Sequence, residues 1–166
     1  MCSPNVKVRR AILNDISAMI ALDRQTPNAA HWSPLQYEAR VATEKLPMAE
    51  SLALVAEETS GNEERTTTAS SAIVGFLIAH RVDKEWELEN VVVGENLRRQ
   101  GIGSLLAAML VAHIRNGAGN SIFLEVRESN ESARILYRKL GFEEAGRRKG
   151  YYTNPPEDGI ICRIRL

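Results

Sequence analysis

Two residues twelve positions apart carry chemistry that their surroundings do not require. Glu125 stands in the middle of SIFLEVR, residues 121–127. There Ile122, Leu124 and Val126 alternate with Phe123, Glu125 and Arg127, the two-residue period of a strand with one face turned to a core. A carboxylate in such a strand is costly unless it is solvated on an open face or used by something nearby. Tyr137 falls in NESARILYRKL, where the spacing predicts a helix from about Asn130 to Leu140. Beside Leu136 and Leu140 it is either a core residue with its hydroxyl at the surface or one half of a site. A carboxylate and a phenol are both groups that move protons.

A third feature lies upstream, in VVVGENLRRQGIGSLL. Arg98-Arg99-Gln100-Gly101-Ile102-Gly103 joins a strand to a helix. A helix starting there presents unpaired N–H groups and the positive end of its dipole. Gly101 and Gly103 let a phosphate approach the main chain closely, and the arginines add charge and forked donors. A dinucleotide fingerprint would need glycine at Leu106, and a Walker loop would need Gly-Lys-Ser/Thr, so both are excluded. The plainer alternative is a glycine turn flanked by solvated arginines.

These residues need a frame. Residues 6–12 read as a strand, followed by a helix that Asn14 or Asp15 can cap, with Ile16, Met19, Ile20 and Asp23 on a helical spacing and Pro27 at its end. Ser33 and Pro34 open a second helix, closed by Pro47. Strands are predicted over 51–58, 71–82 and 86–93, with a flexible hairpin loop over 59–70 and a tight connection at Asp83 and Lys84. Residues 101–116 read as a helix with Leu105, Leu106, Met109, Leu110 and Ile114 on its apolar face, stopped by Gly117 and Gly119. The order is β-α-α-β-β-β-α-β-α-β-β, a mixed α/β pattern in one domain spanning 1–166.

The 166-residue chain has 44% hydrophobic and 25% charged residues, which suits one soluble globular domain. No membrane span is present, and MCSPNVKVRR has no apolar signal core, so a cytoplasmic location is expected. Cys2 and Cys162 have no metal or redox spacing and read as free thiols. Residues 1–97 carry 9 Lys+Arg against 14 Asp+Glu; residues 98–166 carry 12 against 7. That contrast is either drift or a division in which the second half handles an anion and the first meets a cation. Zero net charge argues against non-specific nucleic-acid binding.

Arg98-x-x-Gly101-x-Gly103 resembles the Q/R-x-x-G-x-G/A loop of the GNAT acetyltransferase superfamily, which cradles the pyrophosphate of acetyl-CoA. Within it, LEVRESNESARILYRKLGF is similar to the signature of RimI-type ribosomal-protein alanine N-acetyltransferases, and RRKGYYTNPPEDGIIC is similar to their tail, with Gly159 in place of alanine and Cys162 in place of methionine. The match is close over about 86–166 and general before that. Glu95 stands where the superfamily often has proline. The resemblance implies the GNAT fold: a central, mostly antiparallel sheet with a splayed parallel strand pair and about four helices.

It also implies acetyl-CoA as co-substrate with no metal. Val91, Val92 and Val93 would offer main chain to pantetheine, and Arg98, Arg99, Gln100, Gly101, Ile102, Gly103 and Ser104 would surround the phosphates. Asn130 would bond the cofactor while starting its helix. Glu125 would be general base and Tyr137 would donate to the departing sulfur. The implied reaction is direct attack, in a ternary complex, by a protein N-terminal amine, foremost the alanine of small-subunit ribosomal protein eighteen. Neither cysteine belongs to the matched site. An α-amine with pKa ~8 needs about 1.4 kcal/mol to lose its proton at pH 7, and a lysine near ~10.4 needs about 4.6. A carboxylate acting through water therefore suffices for the former. The rivals are a GNAT enzyme acting on a lysine, polyamine, antibiotic or amino acid, and a non-catalytic acetyl-CoA-binding module. No direct nucleic-acid or membrane partner is expected.

Other side chains leave alternatives open. Trp32 and Tyr37 sit where the superfamily builds its acceptor lip, so they are either substrate contacts or packing. Tyr151, Tyr152, Glu157 and Asp158 are placed to border a peptide site. Glu85, Glu87 and Glu89 either attract a cationic acceptor or protect a strand edge. His31, His80 and His113 lack metal-ligand spacing.

Overall fold

A computed structural model describes residues 5–27, 29–42, 51–59, 72–117 and 119–166. Cys2, Pro47 and nearly all of the expected 59–70 loop lie outside the described residues. The elements are β1 (Val6–Arg10), α1 (Ile16–Arg24), α2 (Pro34–Val41), β2 (Ser51–Glu58), β3 (Ile73–Val82), β4 (Glu85–Val93), α3 (Ile102–Arg115), β5 (Ser121–Arg127), α4 (Glu131–Lys139), β6 (Glu143–Thr153) and β7 (Pro156–Arg165). This is the order expected from the sequence. Seven strands form one sheet in the order β1-β2-β3-β4-β5-β7-β6. The β4–β5 pair is parallel, while β1–β2, β5–β7 and β6–β7 are antiparallel. Among the described residues no helix is long and apolar enough to cross a membrane.

Two compact units divide the chain, one from Met1–Ile78 with Asn90–Leu106, the other from Ala79–Glu89 with Ala107–Leu166. In the first, Met19, Tyr37, Val55, Phe76 and Ile78 are fully buried around one apolar cluster. Helix α2 begins at Ser33 as expected: the Ser33 N–H donates to Gln36 Oε1 at 2.9 Å, and Pro34 takes the first turn. Asp15 behaves differently from the expected cap. It makes no side-chain bond to α1; its carboxylate accepts the Ile12 N–H at 2.8 Å and binds Arg9 at 2.7 Å.

Arg9 also donates to Glu57 at 2.8 Å, so one guanidinium joins β1, the first turn and β2. Burial pushes the Asp15 carboxyl up, but Arg9 and the Ile12 N–H outweigh it and hold it below its ordinary value. A depressed carboxyl stabilises the fold above its unfolded value near ~3.9, and that contribution is lost as pH falls through the folded value. Arg9→Leu strands both carboxylates and is expected to cost about 2 kcal/mol, lowering Tm by roughly 4–8 °C. Thermal unfolding of both proteins between pH 3 and 7 should show the wild-type advantage shrinking below about pH 4.

In the second unit, β5 buries Ile122, Leu124 and Val126 and turns Phe123, Glu125 and Arg127 outward, as the alternation predicts. Along α3 the buried stripe is Ile102, Leu106, Leu110 and Ile114, whereas Leu105 and Met109 are exposed. Each of these two precedes a stripe residue by one position, which turns it about 100° off the buried face. Strand β4 lies between β3 and β5, so its glutamates do not guard a sheet edge.

Candidate functional site

The loop expected to hold phosphate belongs to the first unit. After Val93 the chain makes a 3-10 turn over Glu95–Leu97 and reaches α3 through Arg98–Gly101. Arg99 and Gly101 adopt positive φ, 61° and 87°. The Leu105 N–H bonds the Gly101 carbonyl at 2.9 Å, closing the first helical turn and leaving the earlier N–H groups to the loop side. Arg98 folds back, donating from Nε to the Val93 carbonyl at 3.2 Å, with Nη2 at 3.5 Å from Thr26 Oγ1. One of the three main-chain positions expected to meet pantetheine thus already has its carbonyl occupied. Val92 and Ile102 bury their side chains in the core, so only their main chain is available.

Arg98, Arg99, Gln100, Gly101 and Ser104 are exposed. A Cβ on Gly101 would meet no atom within 4 Å, so the loop leaves open space there, as a phosphate cradle requires. The residues fit the group. Gly101→Ala, strained at φ 87° and placing a methyl in that space, is expected to raise the KM for acetyl-CoA about tenfold. Steady-state kinetics at saturating acceptor would show it.

The carboxylate and the tyrosine belong to the second unit. Pairing of β4 with β5 runs from Glu85↔Ser121 to Leu88↔Leu124 and goes no further. Glu125 is the next residue of β5, at the mouth where the two strands part. Its side chain is 14% exposed. Arg148 Nε lies 3.0 Å from its Oε1, and Glu125 in turn pushes the Tyr151 phenol up. On the same face His80 Nδ1 stands 3.2 Å from Glu89, and His80 Nε2 stands 3.8 Å from Glu87. Burial pushes the Glu87 carboxyl up, and Glu89 and Glu125 add to it.

Tyr137 is held by the end of α4. The Phe142 N–H bonds the Tyr137 carbonyl at 3.0 Å and the Gly141 N–H bonds the Arg138 carbonyl at 3.0 Å, with Gly141 at φ 91°. This is a Schellman motif, and its characteristic apolar contact is the Phe142 ring, 5.6 Å from the Tyr137 ring. Gly141 and Phe142, just past the helix, therefore fix the tyrosine. Tyr137 is buried, which pushes its phenol up, with Cys162 and Tyr152 adding to the effect. Tyr152 feels the Glu125 charge in turn, so it lies within electrostatic reach of both residues. Asn130 caps α4, its Oδ1 accepting the Ala133 N–H at 3.2 Å.

Several alternatives are decided. Tyr37 is packing: it is fully buried, 5.8 Å from Phe76 and 5.6 Å from Trp32. Burial and Asp23 push its phenol up. Glu85 is tied to Ser121 and Arg163, both at 2.6 Å. Glu157 and Asp158 pair with Arg127 and Arg147, which hold both carboxyls below their ordinary values together with the Ser129 and Gly150 N–H groups. The sequence alone does not predict that Arg148 reaches Glu125; its signal is the basic-aromatic run RRKGYY. Among the described residues no group of three or more His, Cys, Asp or Glu is placed to hold a metal ion.

The family model described as "Acetyltransferase (GNAT) family" matches residues 19–142. The [ribosomal protein bS18]-alanine N-acetyltransferase of Haemophilus influenzae is 40% identical over 100 residues, 58% of this chain and 68% of that one. The Escherichia coli K12 protein of the same name is 38% identical over 101 residues, 60% and 68%. A crystal structure of the ribosomal-protein-S18-alanine N-acetyltransferase from Escherichia coli superposes with a TM-score of 0.74 at 26% identity, covering 97% of this chain and 94% of that one. Arabidopsis thaliana NAA60 in complex with acetyl-CoA shares the fold, with a TM-score of 0.79 at 16% identity over 98% and 99% of the two chains.

Proposed function

Since this chain belongs to the GNAT acetyltransferase family, we propose that it moves acetyl from acetyl-CoA to a protein N-terminal α-amine, foremost the N-terminal alanine of ribosomal protein bS18. The acceptor is supported by the bS18-alanine acetyltransferases at 36–40% identity. The observation that carries the chemistry is the end of the β4–β5 ladder at Leu88↔Leu124, which puts Glu125 at the strand opening. Carboxylates in such a place serve as bases only if reachable, and this one is sheltered without being sealed.

In this reading the loop Arg98–Ser104 binds the pyrophosphate and the main chain of Val91 to Val93 meets the pantetheine arm. Asn130, besides capping α4, adds a bond to the cofactor. Glu125 takes the ammonium proton through water, freeing the amine lone pair. The amine attacks the thioester carbonyl, the C–S bond breaks, and the Tyr137 hydroxyl bonds the sulfur as charge collects there. Direct attack is supported by Cys162, whose buried thiol is pushed up and so disfavours the thiolate an acyl-enzyme would need. One acetyltransferase domain over 1–166, working in the cytoplasm, completes the proposal.

The test is mass spectrometry of protein N-termini in a cell extract incubated with the enzyme and acetyl-CoA. Acetylated alanine on bS18 is the expected product. Its absence, with other N-termini modified, overturns the acceptor and leaves the α-amine chemistry.

A further inference from the structure

Glu125 already holds a cation. Arg148 reaches it from β6 at 3.0 Å, and the two partners differ in setting: the arginine side chain is 53% exposed, the glutamate 14%. A sheltered carboxylate is thus covered by a guanidinium that stands mostly in water. Because the guanidinium stands mostly in water, another cation can take its place at small cost.

The local backbone is built to bring it there. The β6–β7 ladder shifts register between Arg148 and Tyr152, and Gly150 sits at φ 59° with its N–H on Asp158 at 2.8 Å. Such irregularities at a sheet edge re-aim side chains. Arg148 lies 5.1 Å over the Tyr151 ring. Tyr151 in turn rests on Gly159, where a Cβ would come within 3.1 Å of Tyr151 Cδ1. Glycine at 159 therefore gives the tyrosine its seat, and the tyrosine carries the arginine.

The charge balance explains why a cation is wanted. From β4 the face presents Glu87 and Glu89, from β5 Glu125, and from β3 His80. Arg127, two residues along β5, is engaged by Glu157 at 2.7 Å and lies 4.1 Å over the Tyr152 ring. Removing Arg148 would take a positive charge from beside both Glu125 and Glu87.

We propose that Arg148 is a specificity-determining residue that stands in for the acceptor's α-ammonium, covering Glu125 until a protonated N-terminus displaces it. The proposal rests on the reading of Glu125 as the acceptor-side base. Exchanging one cation for another leaves the charge of the site unchanged, so neither step strands a bare carboxylate. An acceptor whose N-terminus is already acylated carries no such charge and cannot displace the guanidinium.

Isothermal titration of the CoA-loaded enzyme with a synthetic hexapeptide beginning in alanine tests this without turnover. Arg148→Gln is expected to tighten peptide binding about three- to fivefold, the order of one exposed ion pair, with CoA affinity unchanged. Millimolar guanidinium chloride, supplying the missing cation, should return the variant toward wild-type affinity and leave the wild type unaffected. Weaker or unchanged binding in Arg148→Gln overturns the proposal. The two readings separate through turnover by Glu125→Gln. An inactive Glu125→Gln with unchanged binding in Arg148→Gln leaves the base and removes the stand-in. A fully active Glu125→Gln with tightened binding in Arg148→Gln does the reverse.

Discussion

Replacing Glu125 by glutamine is expected to lower kcat at least a hundredfold while the KM for acetyl-CoA stays within about twofold. Glutamine keeps the size of the side chain, so packing at the mouth of β4 and β5 changes little. What is lost is the acceptor of a proton. Positioned general bases contribute about 10²–10⁴-fold, and a hundredfold corresponds to about 2.7 kcal/mol of barrier. That exceeds the ~1.4 kcal/mol needed to deprotonate an α-amine at pH 7. The excess reflects the second task, removing the proton as the amine becomes positive on attack. Acetyl-CoA affinity is spared because its phosphates are assigned to Arg98–Ser104, remote in sequence from Glu125. The control is Glu87→Gln. Glu87 faces the same cluster, and burial pushes its carboxyl up, which would suit a base. If Glu87→Gln shows the hundredfold loss and Glu125→Gln less than tenfold, the base is Glu87.

The sequence carried what depends on neighbours along the chain. The β5 alternation and the Ser33-Pro34 helix start are local rules, and each appears where its residues predict. Contacts between segments distant in sequence were illegible. Asp15 looks like a cap, but Arg9 captures its carboxylate because β1 and the turn bring them together. Leu105 and Met109 read as core because apolarity alone does not say where the buried stripe of α3 lies. Tyr37 could not be assigned to lip or core until Phe76 and Trp32 were seen around it.

At the site the same division holds. Glu125 and Tyr137 are marked by spacing, but Arg148 comes from a strand whose register slips, and no periodicity predicts a slip. The three glutamates of β4 look equivalent in sequence. In the fold Glu85 is tied down by Ser121 and Arg163, while Glu87 and Glu89 are left facing His80 and Glu125. Their separation depends on which strand neighbours each one, and that follows from the parallel pairing of β4 with β5.

Tyr137→Phe removes one oxygen from a ring that the Schellman motif and Phe142 hold in place, so the fold should survive it. Turnover is expected to fall about 10²-fold, the order seen when one donor to a developing anion is lost, with little change in acetyl-CoA affinity. The environment says how the hydroxyl acts. A thiolate leaves as the base of an acid near ~8.5, and an ordinary phenol sits near ~10. Complete proton transfer from phenol to sulfur is thus uphill by about 2 kcal/mol even before the protein acts. Burial raises the Tyr137 phenol further, which makes full transfer less favourable still. The raised value keeps the hydroxyl protonated throughout the neutral range, which suits a group that stabilises negative charge by donating a hydrogen bond. The proton that ends on sulfur then comes by way of the amine. Two results follow from one cause. The wild-type kcat should show no basic limb from Tyr137 below pH ~10, and the loss in Tyr137→Phe should be nearly constant from pH 6 to 9. A loss that vanishes toward pH 9 would mean that Tyr137 ionises in that range and delivers its own proton.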